Sequence, residues 1–124
     1  MNNLFAIAIG GSLGAVMRYL TSISVHRILG AGFPYGTLTV NVIGSLLMGF
    51  VSILLLERLM IAEFWRPVII IGFLGAFTTF STFSMETFNL IEAGEMAKAF
   101  INIFINITFC LGATWLGIIA GRQL

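Results

Sequence analysis

Four runs of mostly apolar residues, at about positions 4–29, 37–56, 67–91 and 97–120, take up nearly all of a 124-residue chain. A helix needs about 20 apolar residues to cross the hydrocarbon core of a bilayer, and each run has that length. Runs so closely spaced leave no room for a separate soluble domain. Residues 1–124 therefore read as a single all-α membrane domain of four transmembrane helices. Composition agrees, with 59% hydrophobic and only 9% charged residues, where a soluble domain carries roughly 25% charged. A net charge of +1 supplies no basic face for a row of phosphates, which sets nucleic acid aside as a partner.

The connections are short. Met1 to Leu4 lacks the positive patch of a cleaved signal peptide, so the first run is expected to stay as a helix. Gly30-Ala31-Gly32-Phe33-Pro34-Tyr35-Gly36 marks the first turn, residues 57–66 a polar loop, and Glu92-Ala93-Gly94-Glu95 the last turn. Pro67 fits the first turn of the third helix, where its missing N–H costs nothing. Gly10 and Gly14 have the small-xxx-small spacing that lets two membrane helices approach closely.

Four spans put both termini on one side, and the balance of Lys and Arg between the two sets of loops sets orientation. Arg58, Arg66 and Arg122 fall on the side of the termini, against Arg27 and Lys98 on the other, so the bias is nearly flat. Two outcomes stay open. One is a single orientation set by the small excess. The other is insertion both ways, with oppositely oriented copies pairing as an antiparallel dimer. Fusion reporters finding every C-terminus on one side would exclude the second.

Polar residues inside the spans carry the functional information. The third run reads Gly72-Phe73-Leu74-Gly75-Ala76-Phe77-Thr78-Thr79-Phe80-Ser81-Thr82-Phe83-Ser84. Either its hydroxyls bond back onto their own turns in an unbroken helix, or the helix breaks near mid-membrane, with Gly75 and Thr78 flanking the break. A break is tolerated at that depth only where protein or a polar cavity satisfies the backbone, and its freed carbonyls suit a monovalent cation. Beyond it, Phe80 and Phe83 share a helix face, with Thr79, Thr82 and Glu86 on the neighbouring one. Phenyl edges are electropositive, so they meet an anion without the full charge that would trap it; packing bulk is the simpler use of any one of twelve phenylalanines.

Asn41, Ser45 and Gly49 form a stripe on the second helix, and Asn102, Asn106, Cys110 and Thr114 form one on the fourth. Such stripes either bond helices together or line a path, where an Asn amide offers two donors. Arg18 and Glu86 lie inside spans, where an ionised group costs a few kcal/mol unless paired or wet. For Arg18 the first expectation is that it snorkels to an interface, the second that it draws anions into a vestibule; Glu86 is read as a structural or vestibule charge, and whether it is protonated, donates a hydrogen bond or lies off an anion's route stays open. His26 reads as an interfacial residue beside Arg27, and Cys110 as a buried small residue. No nucleophile-and-base pair, metal-ligand cluster or phosphate loop appears, so enzyme chemistry is not expected.

Gly10-Gly11-Ser12-Leu13-Gly14-Ala15 with Arg18-Tyr19, Gly36-Thr37-Leu38-Thr39-Val40-Asn41 with Gly44, and Gly75-Ala76-Phe77-Thr78-Thr79-Phe80-Ser81-Thr82-Phe83-Ser84 together resemble the Fluc, or CrcB-type, fluoride channels of microorganisms. The match runs through the first three helices in order; the fourth agrees in length and placement. The resemblance implies a dual-topology antiparallel homodimer in the bacterial inner membrane that exports fluoride passively, with a structural sodium ion at the dimer centre. By the same resemblance the carbonyls of Gly75 and Thr78 would hold the sodium, and Phe80 and Phe83 would turn ring edges to fluoride. Asn41 would be a donor near the pore entrance, with Ser81, Thr82 and Thr114 as a hydroxyl track.

Two other transport classes and one structural class compete. A proton-coupled multidrug exporter of the small four-helix kind needs an acid in its first helix, where this chain has Arg18. A fluoride/proton antiporter using Glu86 is closer, and a non-transporting subunit of a larger membrane complex has little reason to gather Thr, Ser and Phe around a helix break.

Overall fold

The computed structural model describes residues 2–58 and 64–124. Four of its helical stretches are long and apolar enough to cross a membrane. Helix α1 (Asn2–Leu29) is followed by α2 (Tyr35–Ile53), whose last turn continues in wider π geometry over Leu54–Arg58. The third span is composite: a π segment Pro67–Leu74, one turn of α3 (Gly75–Phe77), two extended residues, and α4 (Phe80–Glu92). Helix α5 (Met96–Gln123) closes the chain. Boundaries therefore run up to three residues beyond those expected for the second and fourth helices; of the expected 57–66 loop, residues 59–63 lie outside the described residues, whereas Glu57 and Arg58 continue the second span and Trp65 and Arg66 are helical ahead of the third.

Two contacts fix which ends lie together. Lys98 Nζ donates to the Gly32 carbonyl at 3.1 Å, joining the α4–α5 turn to the α1–α2 turn. Arg122 lies 3.6 Å from Glu57, joining the C-terminal end to the end of α2. The spans thus alternate in direction, with both chain ends on one side.

Backbone proximity makes the packing. A Cβ on Gly10 would run into the Val68 carbonyl and one on Gly14 into that of Phe73, so α1 lies directly on the first half of the third span. The Gly10/Gly14 spacing serves the close approach it predicts. Likewise Gly49 faces the Thr114 carbonyl and Gly117 that of Leu46, which presses α2 onto α5. The third span changes partner midway: its first half packs on α1, whereas α4 packs on α5. The buried core is correspondingly small-residued, with Ala6, Val40, Ala99 and Ala113 beside Leu74 and Phe77, while Phe5, Phe104 and Leu111 stand exposed. An outer surface of this kind is matched to lipid rather than water.

Candidate functional site

The two residues between α3 and α4 are where the site begins. Thr78 (φ −86°, ψ 159°) and Thr79 (φ −152°, ψ 119°) are extended. An uninterrupted α-helix would join the Thr79 N–H to the Gly75 carbonyl and the Thr82 N–H to that of Thr78. Instead, Thr79 N donates to Asn41 Oδ1 at 2.8 Å, and Thr82 N donates to Thr79 Oγ1 at 3.2 Å. Thr79 is thereby a side-chain N-cap for α4. The carbonyls of Gly75 and Thr78 lose the donors a regular helix would bring them.

Neighbouring helices satisfy what lies alongside. Asn41 Nδ2 donates to the Thr79 carbonyl at 3.1 Å, so one amide from α2 pairs with both backbone polar groups of Thr79. From α1, Arg18 Nε donates to the Ala76 carbonyl at 3.1 Å. That bond ties α1 to the third span beside the extended residues. Thr78 Oγ1 bonds back to the Leu74 carbonyl at 3.2 Å, and the Thr78 methyl fills the space where a side chain on Gly44 would stand. Irregular backbone in a membrane protein needs this kind of support from protein.

A groove of about 380 Å³ opens beside the extended pair, between α2, α4 and α5. Asn41, Phe80, Phe83 and Thr114 line it together with Ser45 and Asn106, and among the described residues no charged side chain does. Phe80 and Phe83 are tilted 52° to each other with ring centres 5.4 Å apart. Phe83 is buried at 7% exposure, whereas Phe80, at 75%, stands on the open side of the groove. Thr114 Oγ1 donates to the Ser45 carbonyl at 3.3 Å, so this hydroxyl ties α5 to α2 at the groove wall. The groove offers neutral hydroxyls, amides and ring edges, a surface that can replace water around an anion without holding it by a full charge.

Other expected residues sit apart. Ser81 is exposed, its Oγ 3.5 Å from Thr79 Oγ1, and Thr82 accepts from Thr79 Oγ1 at 3.0 Å; neither lines the groove. Gly75 is exposed outside it. Glu86 faces a second cavity of about 200 Å³, lined also by His26, Phe33 and Asn89, and its Oε1 is buried without a hydrogen-bond partner. Ser45, Asn106 and Cys110 reach the groove although no individual role was expected of them. Their signal was the four-residue step on two helices; that the two stripes face each other follows from the Gly49 and Gly117 contacts.

The chain matches the family described as CrcB-like protein, Camphor Resistance (CrcB), over residues 5–118. Three similar proteins carry the name fluoride-specific ion channel FluC. That of Photobacterium profundum is 54% identical over 111 residues, covering 90% of this chain and 87% of its own length. The Geobacter metallireducens protein is 48% identical over 124 residues, covering 100% of both chains. The Methylococcus capsulatus protein is 47% identical over 122 residues, 98% of this chain; this chain spans only 54% of that relative's length. A match that runs through all four spans and includes the groove-lining segments decides the matter: the chain is a member of the CrcB-like family of membrane proteins.

Proposed function

We propose that this chain forms a fluoride-selective channel, through which fluoride leaves the cytoplasm passively and its toxicity is lowered. The observation that carries this reading is the groove, which collects Asn41, Phe80, Phe83 and Thr114 on an uncharged surface open on one side. Its relatives' names supply the ion. Fluoride is small and tightly hydrated, so a path for it must replace water with closely spaced donors. Ring edges and neutral donors do this while leaving the ion free to exit, which conduction requires. Phe80 and Phe83 offer the edges, and a narrow phenyl-lined path accommodates larger halides poorly. In the monomer both Asn41 amide protons serve Thr79 and Asn106, so Asn41 shapes the wall in addition to any contact with the ion.

An antiparallel homodimer of dual topology is part of the proposal. The near-equal charge of the two loop sets permits both orientations, and the exposed Phe80 gives a second copy a place to close the groove. The helix interruption at Thr78–Thr79 is then at mid-membrane, with Gly75 and Thr78 turned toward the dimer axis. Their carbonyls, which no longer receive the usual helical donors, fit a sodium ion by donor chemistry, since hard cations take oxygen ligands. A bound sodium would supply a fixed positive charge that joins the subunits. In bacteria the location is the inner membrane.

Purified protein in liposomes should release fluoride rapidly and chloride not at all, and Phe80→Ile or Phe83→Ile should slow fluoride release at least about tenfold. Well-folded protein that releases no fluoride would end the proposal. One observation favours a second reading, a fluoride/proton antiporter: the unpartnered, buried Oε1 of Glu86. Proton entry tied one for one to fluoride release, read as acidification of the liposome lumen, would favour that exchange.

A further inference from the structure

Helix α4 is only 13 residues long and is separated from α3 by two extended residues, so the turns before it do not set its rotation. A continuous hydrogen-bond chain does connect it to the helices around it. Thr79 N donates to Asn41 Oδ1 at 2.8 Å, and Asn41 Nδ2 donates to Asn106 Oδ1 at 3.3 Å. Asn106 Nδ2 donates to Asn102 Oδ1 at 2.9 Å, and Asn102 Nδ2 to Thr87 Oγ1 at 3.0 Å. Thr87 Oγ1 then donates to the carbonyl of Phe83 at 2.8 Å. The chain leaves the third span at Thr79, crosses α2 and α5, and returns to the same span at Phe83.

Its direction is fixed from one end. A backbone N–H can only donate, so Asn41 must present its oxygen to Thr79 and its NH₂ to Asn106. Each later amide then has one compatible orientation, and the Thr87 hydroxyl is left with its proton for Phe83. The inner members are among the most buried polar groups of the described chain, with Asn102 at 1%, Asn106 at 5% and Thr87 at 6% exposure. Buried groups of this kind are costly to leave unpaired, so a rotation of α4 that broke one link would expose several to that penalty.

We infer that Asn102 and Thr87 are positioning residues: neither lines the groove, and together they hold α4 at the rotation that places Phe83 in the groove wall and Phe80 at its opening. The inference rests on the fluoride-channel reading for its consequence, but not for its geometry. Thr87→Val keeps shape and removes one hydroxyl, Thr87→Ser restores the hydroxyl, and Asn102→Leu removes the middle of the chain.

The test is to measure fluoride efflux from liposomes and backbone hydrogen exchange in detergent on the full-length protein and on these variants. Thr87→Val loses both hydrogen bonds of that hydroxyl and should slow efflux at least about tenfold, and speed exchange within residues 80–92 while leaving α1 unchanged. Asn102→Leu should do the same or more, and Thr87→Ser should recover both readouts. The inference fails if Thr87→Val exchanges like the parent, if exchange rises without any change in efflux, or if Thr87→Ser does not rescue. Should the parent itself conduct no fluoride, the channel reading falls, and exchange within 80–92 still decides whether the chain of amides holds α4.

Discussion

Asn41 shows how one side chain can serve two purposes. Its amide acts as a substitute peptide, accepting from the Thr79 N–H and donating to the Thr79 carbonyl, at the point where the helix can no longer provide for itself. Replacing it with Ala would orphan both groups and the oxygen of Asn106. Each orphaned buried group costs about 1–3 kcal/mol, so Asn41→Ala should lower the thermal unfolding midpoint of the detergent-purified protein clearly and stop fluoride release. An unchanged midpoint would mean that Thr79 finds other partners. Asn41 could be picked out from sequence because an amide in an apolar run is conspicuous. Its partner could not, because nothing in the spacing says which backbone group an amide will reach. The same applies to Arg18, whose acceptor, the Ala76 carbonyl, exists only because of the local geometry.

At the level of elements, length and hydropathy were enough to find four spans and their order, since few other arrangements accommodate runs of about 20 apolar residues. The change of partner along the third span was not readable. Helix α1 is apolar nearly all round, so no single stripe marks the face it buries, and membrane helices lack the polar outer face that makes such stripes legible in soluble proteins. Glycines mark the contacts better than hydrophobic periodicity does. Gly49 and Gly117 bring α2 and α5 into backbone contact and so assemble the wall that carries Ser45, Asn106 and Thr114. A Leu at position 49 would meet the Thr114 carbonyl head-on. Gly49→Leu should therefore give little monodisperse protein, whereas Gly112→Ala, where no neighbour is near, should purify like the parent; equal yields would remove the close-packing account.

For the whole molecule, the open groove and the flat charge balance point the same way. In the proposed dimer another copy completes the exposed side of the site, and little orientation bias would let that copy insert in the opposite sense. Adding two or three lysines to the 30–34 turn should fix one orientation, and adding them near the C-terminus should fix the other. Each pinned form alone should release no fluoride, and the two co-expressed should regain it. Activity from either form alone would contradict the antiparallel dimer.

Passive, selective fluoride conduction would show in the voltage that a fluoride gradient generates across liposomes containing only this protein, with chloride equal on both sides. The expected voltage is about 59 mV for each tenfold gradient, the value for a single permeant monovalent ion, unaltered when a chloride gradient is imposed instead of balanced. A voltage of about 30 mV per tenfold gradient at equal pH would mean one-for-one exchange with protons, and a voltage that followed chloride would mean an unselective pore; either result would contradict passive, selective conduction.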